Sequence, residues 1–266
     1  PSSKIKATRV NPKKLILFSK PKVGKTEVLS ALDNCLLIDL EDGSEFVNAM
    51  KINVLDIARK NEISPISALK EVISKIKAAN KEAGKFVYKY GAIDTVTALE
   101  DHVLLLANKL YTQTPQGRNW QGDDVTTLPN GAGYQYTRKA LWIVLEELEE
   151  CFETLIILGH LKDKFVEKEG KEMTERGLDL IGKSAAILCS QVDAIGYVYR
   201  EDNKTIVNFQ PSDSLICGSR SEHLKDQKIT VAAIYYKVNN SSISHCCAGR
   251  KNKIKGFIWK YESDYN

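Results

Sequence analysis

Eight residues near the start of the chain have the types and the spacing that bind phosphate. They read Ser19-Lys20-Pro21-Lys22-Val23-Gly24-Lys25-Thr26, which follows the pattern G-x-x-x-x-G-K-[ST] except that Ser19 replaces the first glycine. A glycine lets backbone N–H groups turn towards phosphate oxygens, a lysine reaches the β- and γ-phosphates, and a threonine hydroxyl binds Mg²⁺. The segment therefore predicts a phosphate-binding loop, or P-loop, that holds ATP and Mg²⁺.

The residues around this loop supply the two elements that a P-loop needs. Residues 15–18 are Leu-Ile-Leu-Phe, an apolar run that predicts a buried strand, and residues 27–32 begin an amphipathic helix. A lysine-rich turn ahead of such a helix is the simpler interpretation of the same residues. The order of strand, loop and helix favours the nucleotide site.

Polar residues follow or end three further predicted strands. Glu41 follows the second strand, Asp94 ends the third, and His160 follows the fourth. Ligands of open parallel sheets bind at the carboxyl ends of the strands, so these side chains are expected near the P-loop. Asp39 is interpreted as a brace for the loop that carries Glu41, and an exchange of roles between these two acids stays open.

These residues have the chemistry that ATP hydrolysis requires. Glu41 is the candidate base for the attacking water, Lys25 neutralises charge on the phosphates, and His160 is a candidate contact of the γ-phosphate. Thr26 is expected to bind Mg²⁺ directly, and Asp94 is expected to hold it through water in the Walker B role.

Apolar runs alternate with amphipathic stretches along the chain, which is typical of a mostly parallel sheet built from βα units. The predicted strands are residues 15–18, 35–39, 90–94, 154–159, 194–199, 205–209 and 256–259, and the predicted helices start at Thr26 or span 64–84, 98–110 and 136–151. The strand at 205–209 is expected to form a hairpin with the one before it. Residues 112–133, between the predicted helices 98–110 and 136–151, are polar and predict a long loop.

Composition excludes several classes of protein. The 266 residues carry a net charge of +4, with 43% hydrophobic and 27% charged residues, which is ordinary for a globular protein. No apolar run approaches the roughly 18 residues of a membrane span, and no signal-peptide pattern is recognised. The six cysteines lack disulfide or C-x-x-C spacing and indicate a reducing compartment. His245, Cys246 and Cys247 lack a second ligand cluster that would complete a metal site.

The order of these motifs resembles the RecA-like recombinase core. Residues 35–41 are similar to the strand that ends in the family's catalytic glutamate, and residues 92–99 are similar to its Walker B segment. Residues 155–160 lie where the family has a Gln that senses the γ-phosphate, here replaced by His160. The resemblance implies an α/β fold: a RecA-like P-loop NTPase core with a mostly parallel central sheet flanked by helices, and an antiparallel C-terminal extension. The expected division is a core of residues 1–225 and an extension of residues 226–266.

Three segments resemble a narrower group, the phage-encoded RecA-like ATPases of the AAA type. These segments are residues 93–100, 159–164 and 170–176. The resemblance covers about residues 12–223. It implies a role in single-strand annealing or recombination, although Ser19 and His160 depart from the family's pattern.

The resemblance also implies two loops that face DNA. The first is residues 113–133, where Arg118 is expected to contact phosphate and Trp120 to stack on a base. The second is residues 162–177, in which acidic residues match the basic ones in number, a balance that is also typical of a solvated surface. Its candidate DNA contacts are Lys168, Lys171 and Arg176.

Lys162 and Lys164 of the second loop have another expected role, which is to reach the γ-phosphate of a neighbouring subunit. The whole pattern predicts an ATP-hydrolysing phage recombination protein that acts on single-stranded DNA. A nucleotide-switched DNA-binding module with negligible turnover and a helicase- or loader-type ATPase are the alternatives. The expected partners are single-stranded DNA, other copies of the chain and a single-strand binding protein. No association with a membrane is expected, and the expected location is the cytoplasm of the host cell.

Overall fold

The fold is built around one central β-sheet. The computed structural model describes residues 9–30, 32–45, 47–168 and 170–230. The strands in this part are β1 (Lys14–Ser19), β2 (Cys35–Asp39), β3 (Met50–Asn53), β4 (Tyr90–Asp94), β5 (Thr154–Lys168), β6 (Lys171–Leu178), β7 (Ala194–Glu201), β8 (Lys204–Asn208), β9 (Gly218–Ser219) and β10 (Lys228–Thr230). The helices are α1 (Glu27–Ser30), α2 (Val54–Asn61), α3 (Pro65–Ala83), α4 (Val96–His102), α5 (Leu104–Thr112), α6 (Ala132–Glu149) and α7 (Ser184–Gln191).

The strands follow the order β10-β8-β7-β1-β5-β4-β2-β3 across the sheet. The strands from β7 to β3 in this order run parallel, and β8 and β10 continue the sheet with antiparallel pairing. The P-loop strand β1 therefore lies between β5 and β7. Because the three strands are parallel, they all run towards the same edge of the sheet. The predicted α/β fold class, a mostly parallel sheet flanked by helices with antiparallel strands on its C-terminal side, is confirmed.

Both faces of the sheet are buried. Along β1, Ile16 and Phe18 belong to the core under the helices that follow β3, whereas Leu15 and Leu17 belong to the core that includes α1 and Phe209. Successive side chains of a strand point to opposite faces. A strand buried on both sides must therefore be apolar at every position, as residues 15–18 are.

Helix α3 confirms the prediction for residues 64–84. The hydroxyl of Ser64 accepts a hydrogen bond of 3.2 Å from the backbone N–H of Ser67, and Pro65 occupies the first helical position. Proline is tolerated there because its missing N–H has no partner within the helix. The apolar residues at helical spacing face the core: Ile66, Leu69, Val72, Ile73 and Ile76.

The sequence prediction is wrong in three segments. Helix 98–110 is two helices, α4 and α5, joined at Val103. The polar loop is shorter than predicted because it contains two 3₁₀ turns, Val125–Thr127 and Pro129–Gly131, and α6 begins at Ala132. Residues 162–177 do not form a loop, because β5 continues beyond the sheet and pairs with β6 in a β-hairpin.

Several elements were not predicted or cannot be compared. The short edge strand β3 and helix α2 have no counterpart among the predicted elements, and β10 follows the expected boundary at residue 225 and pairs with β8. The strand candidate 256–259, the His245–Cys247 cluster and residues 231–266 in general lie outside the described residues. In the described ranges, no helix has the length and apolar character needed to cross a membrane, and no group of three or more His, Cys, Asp or Glu side chains could hold a metal ion.

Candidate nucleotide-binding site

The P-loop motif has glycine at two positions, and in this structure only the second, Gly24, requires it. Gly24 has a φ of +100°, which side-chain-bearing residues rarely adopt, and a Cβ there would lie 3.0 Å from Oε2 of Glu27. Ser19 is buried at the end of β1, has no positive φ, and donates a hydrogen bond of 2.7 Å to the carbonyl of Lys20. The backbone at position 19 therefore accepts a serine.

Lys25 is buried in the same region as two carboxylates. Its relative exposure is 8%. Burial lowers the pKa of the Lys25 ammonium, and the negative charges of Asp94 and Glu41 oppose that shift. A lysine placed in this way offers a poorly hydrated positive charge, which interacts strongly with an anion that enters the site.

Thr26 and Asp94 meet at the centre of the site. The hydroxyl of Thr26 donates a hydrogen bond of 2.6 Å to Oδ2 of Asp94, which ends β4. Burial raises the pKa of Asp94, and the charge of Glu41 raises it further, whereas the bond from Thr26 and the charge of Lys25 lower it. Mg²⁺ prefers oxygen ligands and binds through one or two carboxylates. This hydroxyl and carboxylate therefore fit a Mg²⁺ ion beside a triphosphate.

Glu41 is held through one of its two carboxylate oxygens. Nε2 of His160 lies 2.9 Å from Oε1 of Glu41, and the hydroxyl of Thr95 donates to the same oxygen. Thr95 also caps α4, because its hydroxyl accepts a hydrogen bond from the N–H of Ala98. The role of Thr95 was missed in the sequence, although a threonine directly after the Walker B acid and before a helix is a recognisable N-cap.

Asp39 holds the loop that carries Glu41. Asp39 is 1% exposed, and its carboxylate accepts hydrogen bonds from the N–H of Glu41 at 2.9 Å, the N–H of Ser44 at 3.0 Å and the hydroxyl of Ser44. Lys51 donates to the carbonyl of Ser44 at 2.6 Å. The oxygens of Asp39 are thus occupied within the loop, and Glu41 is the acid that reaches the cavity.

A cavity of about 790 Å³ brings the predicted residues together at the carboxyl ends of the strands. The predicted residues that line it are Pro21, Lys22, Gly24, Lys25, Thr26, Glu41, Asp94 and His160. Ser19, Lys20 and Val23 belong to the loop but do not line the cavity. The volume and the charges suit a nucleoside triphosphate with its metal ion.

Arg200 also lines this cavity and was missed in the sequence. It lies near the end of β7, its side chain is exposed, and its Nη2 donates to the carbonyl of Asn203 at 3.3 Å. Because β7 is parallel to β1 and adjacent to it, its last residues reach the P-loop edge of the sheet. The sequence gives no motif at this position, and only the strand-end rule would have identified it.

The strand β5 is fixed on both sides of His160. The backbone N–H of His160 donates to the hydroxyl of Thr97 at 3.2 Å, and its carbonyl accepts from the N–H of Asp179 at 2.9 Å. A Cβ at Gly159 would overlap Cδ1 of Leu178 on β6. Leu178 of β6 is therefore packed tightly against β5, directly next to His160.

The first predicted DNA segment divides into an exposed and a packed residue. Arg118 is exposed, as a phosphate contact would require. Trp120 is half-buried, and its ring lies edge-on to Tyr111 with 5.3 Å between ring centroids and an interplanar angle of 76°. This ring packs against the main core. Trp120 therefore has a packing role in this structure, and its stacking on a base stays a prediction.

The second predicted DNA segment is the β5–β6 hairpin. Lys162 pairs with Asp179 at 2.8 Å, Arg176 lies 3.5 Å from Asp163, and Lys164 is opposite Glu175 in the ladder. Lys168 and Lys171 pair with each other in the ladder next to the turn. Lys162, Lys164 and Arg176 do not line the nucleotide cavity of the same chain. The most exposed large apolar side chain of the hairpin, Phe165 at 84%, was not singled out in the sequence.

Residues 11–221 match the family described as the AAA domain. No curated protein matches the sequence. Among solved structures, the chain is similar to the KaiC-like protein PH0186 of Pyrococcus horikoshii OT3, with 12% identity, coverage of 83% of this chain and 87% of that one, and a TM-score of 0.39. The family match spans most of the sequence, and the chain therefore belongs to the AAA domain family of P-loop ATPases.

Proposed function

We propose that the protein is a Mg²⁺-dependent ATPase in which Glu41 activates the water that attacks the γ-phosphate. The observation that carries this proposal is the convergence of Lys25, Glu41 and the Thr26–Asp94 pair on one cavity. A P-loop without acids at the neighbouring strand ends would bind a nucleotide and lack the groups for hydrolysis.

Each of these side chains has one task in the proposed reaction. Lys25 binds phosphate oxygens with its buried ammonium, and Glu41 accepts a proton from the water. Thr26 and Asp94 would hold Mg²⁺, Asp94 through water. The metal ion, when bound, neutralises charge on the phosphate oxygens.

The proposal is tested by the rate of phosphate release at saturating ATP and Mg²⁺. Lys25→Ala is expected to lose ATP binding and hydrolysis, whereas Glu41→Gln is expected to keep ATP binding and to hydrolyse about 10²- to 10⁴-fold more slowly. Lys109→Ala, an exposed lysine on α5, is the control. A Lys25→Ala protein that hydrolyses ATP at the parental rate would refute this function.

We propose further that the ATPase acts on single-stranded DNA as an oligomer in phage recombination, by annealing or strand pairing. The resemblance to phage-encoded RecA-like ATPases supports this role. The basic residues and the exposed Phe165 of the β5–β6 hairpin also suit it, because single-stranded DNA is bound by cations and stacking aromatics together. Lys162 and Lys164 are proposed to approach the nucleotide of a neighbouring subunit.

The DNA role is tested by ATPase rates without nucleic acid, with single strands and with duplex, at one stated salt concentration. Phe165→Ala should reduce stimulation by single strands and leave the rate without DNA unchanged. Phe86→Ala is the control for removal of an aromatic ring, because Phe86 is exposed and lies between α3 and β4, outside the hairpin. Equal rates in all three conditions would exclude a DNA-dependent ATPase.

A nucleotide switch with negligible turnover is the second candidate. His160 favours it, because the resemblance implies a γ-phosphate-sensing Gln at this position and the His160 ring is directed to Glu41 instead. Single-turnover measurements with and without single-stranded DNA separate the two. Phosphate release that DNA accelerates excludes the switch.

A further inference from the structure

The contact between His160 and Glu41 defines which oxygen of the glutamate is available for chemistry. Two donors, Nε2 of His160 and the hydroxyl of Thr95, converge on Oε1. Within the described residues, no hydrogen bond reaches Oε2 of Glu41. The side chain also lines the nucleotide cavity. Oε2 is therefore the oxygen that can accept a proton from water.

The hydrogen bonds of the His160 ring identify the nitrogen that donates. The partner of Nε2 is a carboxylate oxygen, which accepts, so the proton in this contact lies on Nε2. Nδ1 is buried and has no hydrogen-bond partner within the described residues. The ring therefore holds Glu41 through Nε2–H.

The backbone of His160 keeps the ring in place. Its N–H is bonded to Thr97 on α4, its carbonyl to Asp179 after β6, and its strand position pairs with Ser19 of β1. A donor fixed on three sides can orient a partner that lies on a loop. Glu41 is such a partner, because it follows the end of β2.

We infer that His160 is a positioning residue for Glu41, and that it acts on hydrolysis through this carboxylate and not by direct contact with the γ-phosphate. The inference rests on the proposed function, in which Glu41 is the base. It replaces the γ-phosphate contact that the resemblance implies for this strand end. His160 and Thr95 hold Oε1 so that Oε2 faces the attacking water.

A double-mutant cycle in hydrolysis distinguishes the two roles. His160→Ala is expected to lower kcat roughly 10- to 100-fold and to leave KM for ATP within about twofold, since only the orientation of the base is lost. His160→Gln should recover most of kcat, because its amide can donate to Oε1. In a Glu41→Gln background, His160→Ala should have no further effect on single-turnover hydrolysis.

Effects that multiply in the double variant, or a loss of ATP affinity in His160→Ala, would overturn the inference and favour a direct γ-phosphate contact. His102→Gln serves as the control, because among the described residues the hydrogen bond of the His102 ring is to the carbonyl of Leu40 and its side chain does not line the cavity.

A second measurement does not depend on catalysis. The ring nitrogen resonances of His160 in the nucleotide-free protein should report a protonated, hydrogen-bonded Nε2 and should change in Glu41→Ala. A ring protonated only on Nδ1, or resonances that Glu41→Ala leaves unchanged, would overturn the inference. If Glu41→Gln hydrolyses ATP as fast as the parent, the proposed base is wrong, and the resonances still decide whether His160 holds Glu41.

Discussion

The hydroxyl of Thr26 and the carboxylate of Asp94, 68 positions apart in the sequence, are joined by a hydrogen bond of 2.6 Å. This bond connects the P-loop to the end of β4, two strands away from β1 in the sheet. Both oxygens are therefore already adjacent before any ligand enters. Such preorganisation reduces the reorganisation needed to bind a metal ion beside the phosphates.

Thr26→Val and Thr26→Ser are expected to differ sharply. Valine has a similar shape without the hydroxyl, so Mg²⁺-dependent hydrolysis should fall by about 10- to 100-fold or more, while serine should retain most of it. The measurement is the initial rate as a function of Mg²⁺ concentration. Equal rates for the two variants would show that the hydroxyl has no part in metal binding.

Asp94→Asn is expected to stabilise the protein at neutral pH and to abolish hydrolysis. Burial raises the pKa of Asp94, so between its ordinary and raised pKa the native state binds more protons than the unfolded state. The stability of the parent protein therefore falls as pH rises through that window. Asparagine has no charge to bury, and its side-chain oxygen can still accept the hydrogen bond from Thr26. The substitution should therefore raise the free energy of unfolding by about 1 kcal/mol at neutral pH.

This gain is measured by urea unfolding near neutral pH and at about pH 4, where protonation of Asp94 should remove most of the difference. Asp101→Asn, an exposed acid on α4, is the control for loss of one negative charge. A difference between Asp94→Asn and the parent that is the same at both pH values would contradict the assigned cause.

Gly91→Ala is expected to destabilise the fold by about 1–3 kcal/mol, because the added methyl group would overlap the ring of Phe152, which is buried. Gly43→Ala is the matched control, since no atom lies within 4 Å of a Cβ there, and its effect should stay within about 0.5 kcal/mol. Chemical denaturation measures both. Similar losses for the two variants would contradict the steric explanation.

Glu100→Ala is expected to cost about 1–3 kcal/mol of unfolding free energy. Glu100 is 3% exposed, and its Oε2 accepts a hydrogen bond of 2.8 Å from the N–H of Ile181, which would lose its partner. Glu100→Gln keeps an acceptor at this position and removes a charge whose burial raises the pKa of the carboxyl. Thermal unfolding at neutral pH should therefore rank Gln above Ala, and the reverse order would show that this bond does not hold the segment after β6.

The central strands of the parallel core could be predicted from the sequence because they are short runs that are apolar along most of their length. Residues 15–18 and 35–39 are buried on both sides, and no other element type suits such short continuous runs. The capping residues Ser64 and Pro65 likewise identified the start of α3. The P-loop and the acids after the strands were recognisable because their chemistry depends on local spacing.

The rest depended on contacts between distant residues. The hairpin of β5 and β6 is rich in charged residues and has few apolar ones, and it is held by pairing across the strands, as between Asp163 and Arg176. Such pairing leaves no period in the sequence. Arg200 reaches the cavity only because β7 lies beside β1. The difference between Asp39 and Glu41 is likewise a matter of which side chain turns into the loop.

The overlap that any side chain at Gly159 would have with Leu178 has an evolutionary consequence. A relative with a larger residue at position 159 must move or shorten the side chain at position 178, so substitutions at the two positions should be found together. Covariation of these two columns in an alignment would therefore indicate which homologues retain the same packing of β6 on β5 next to His160.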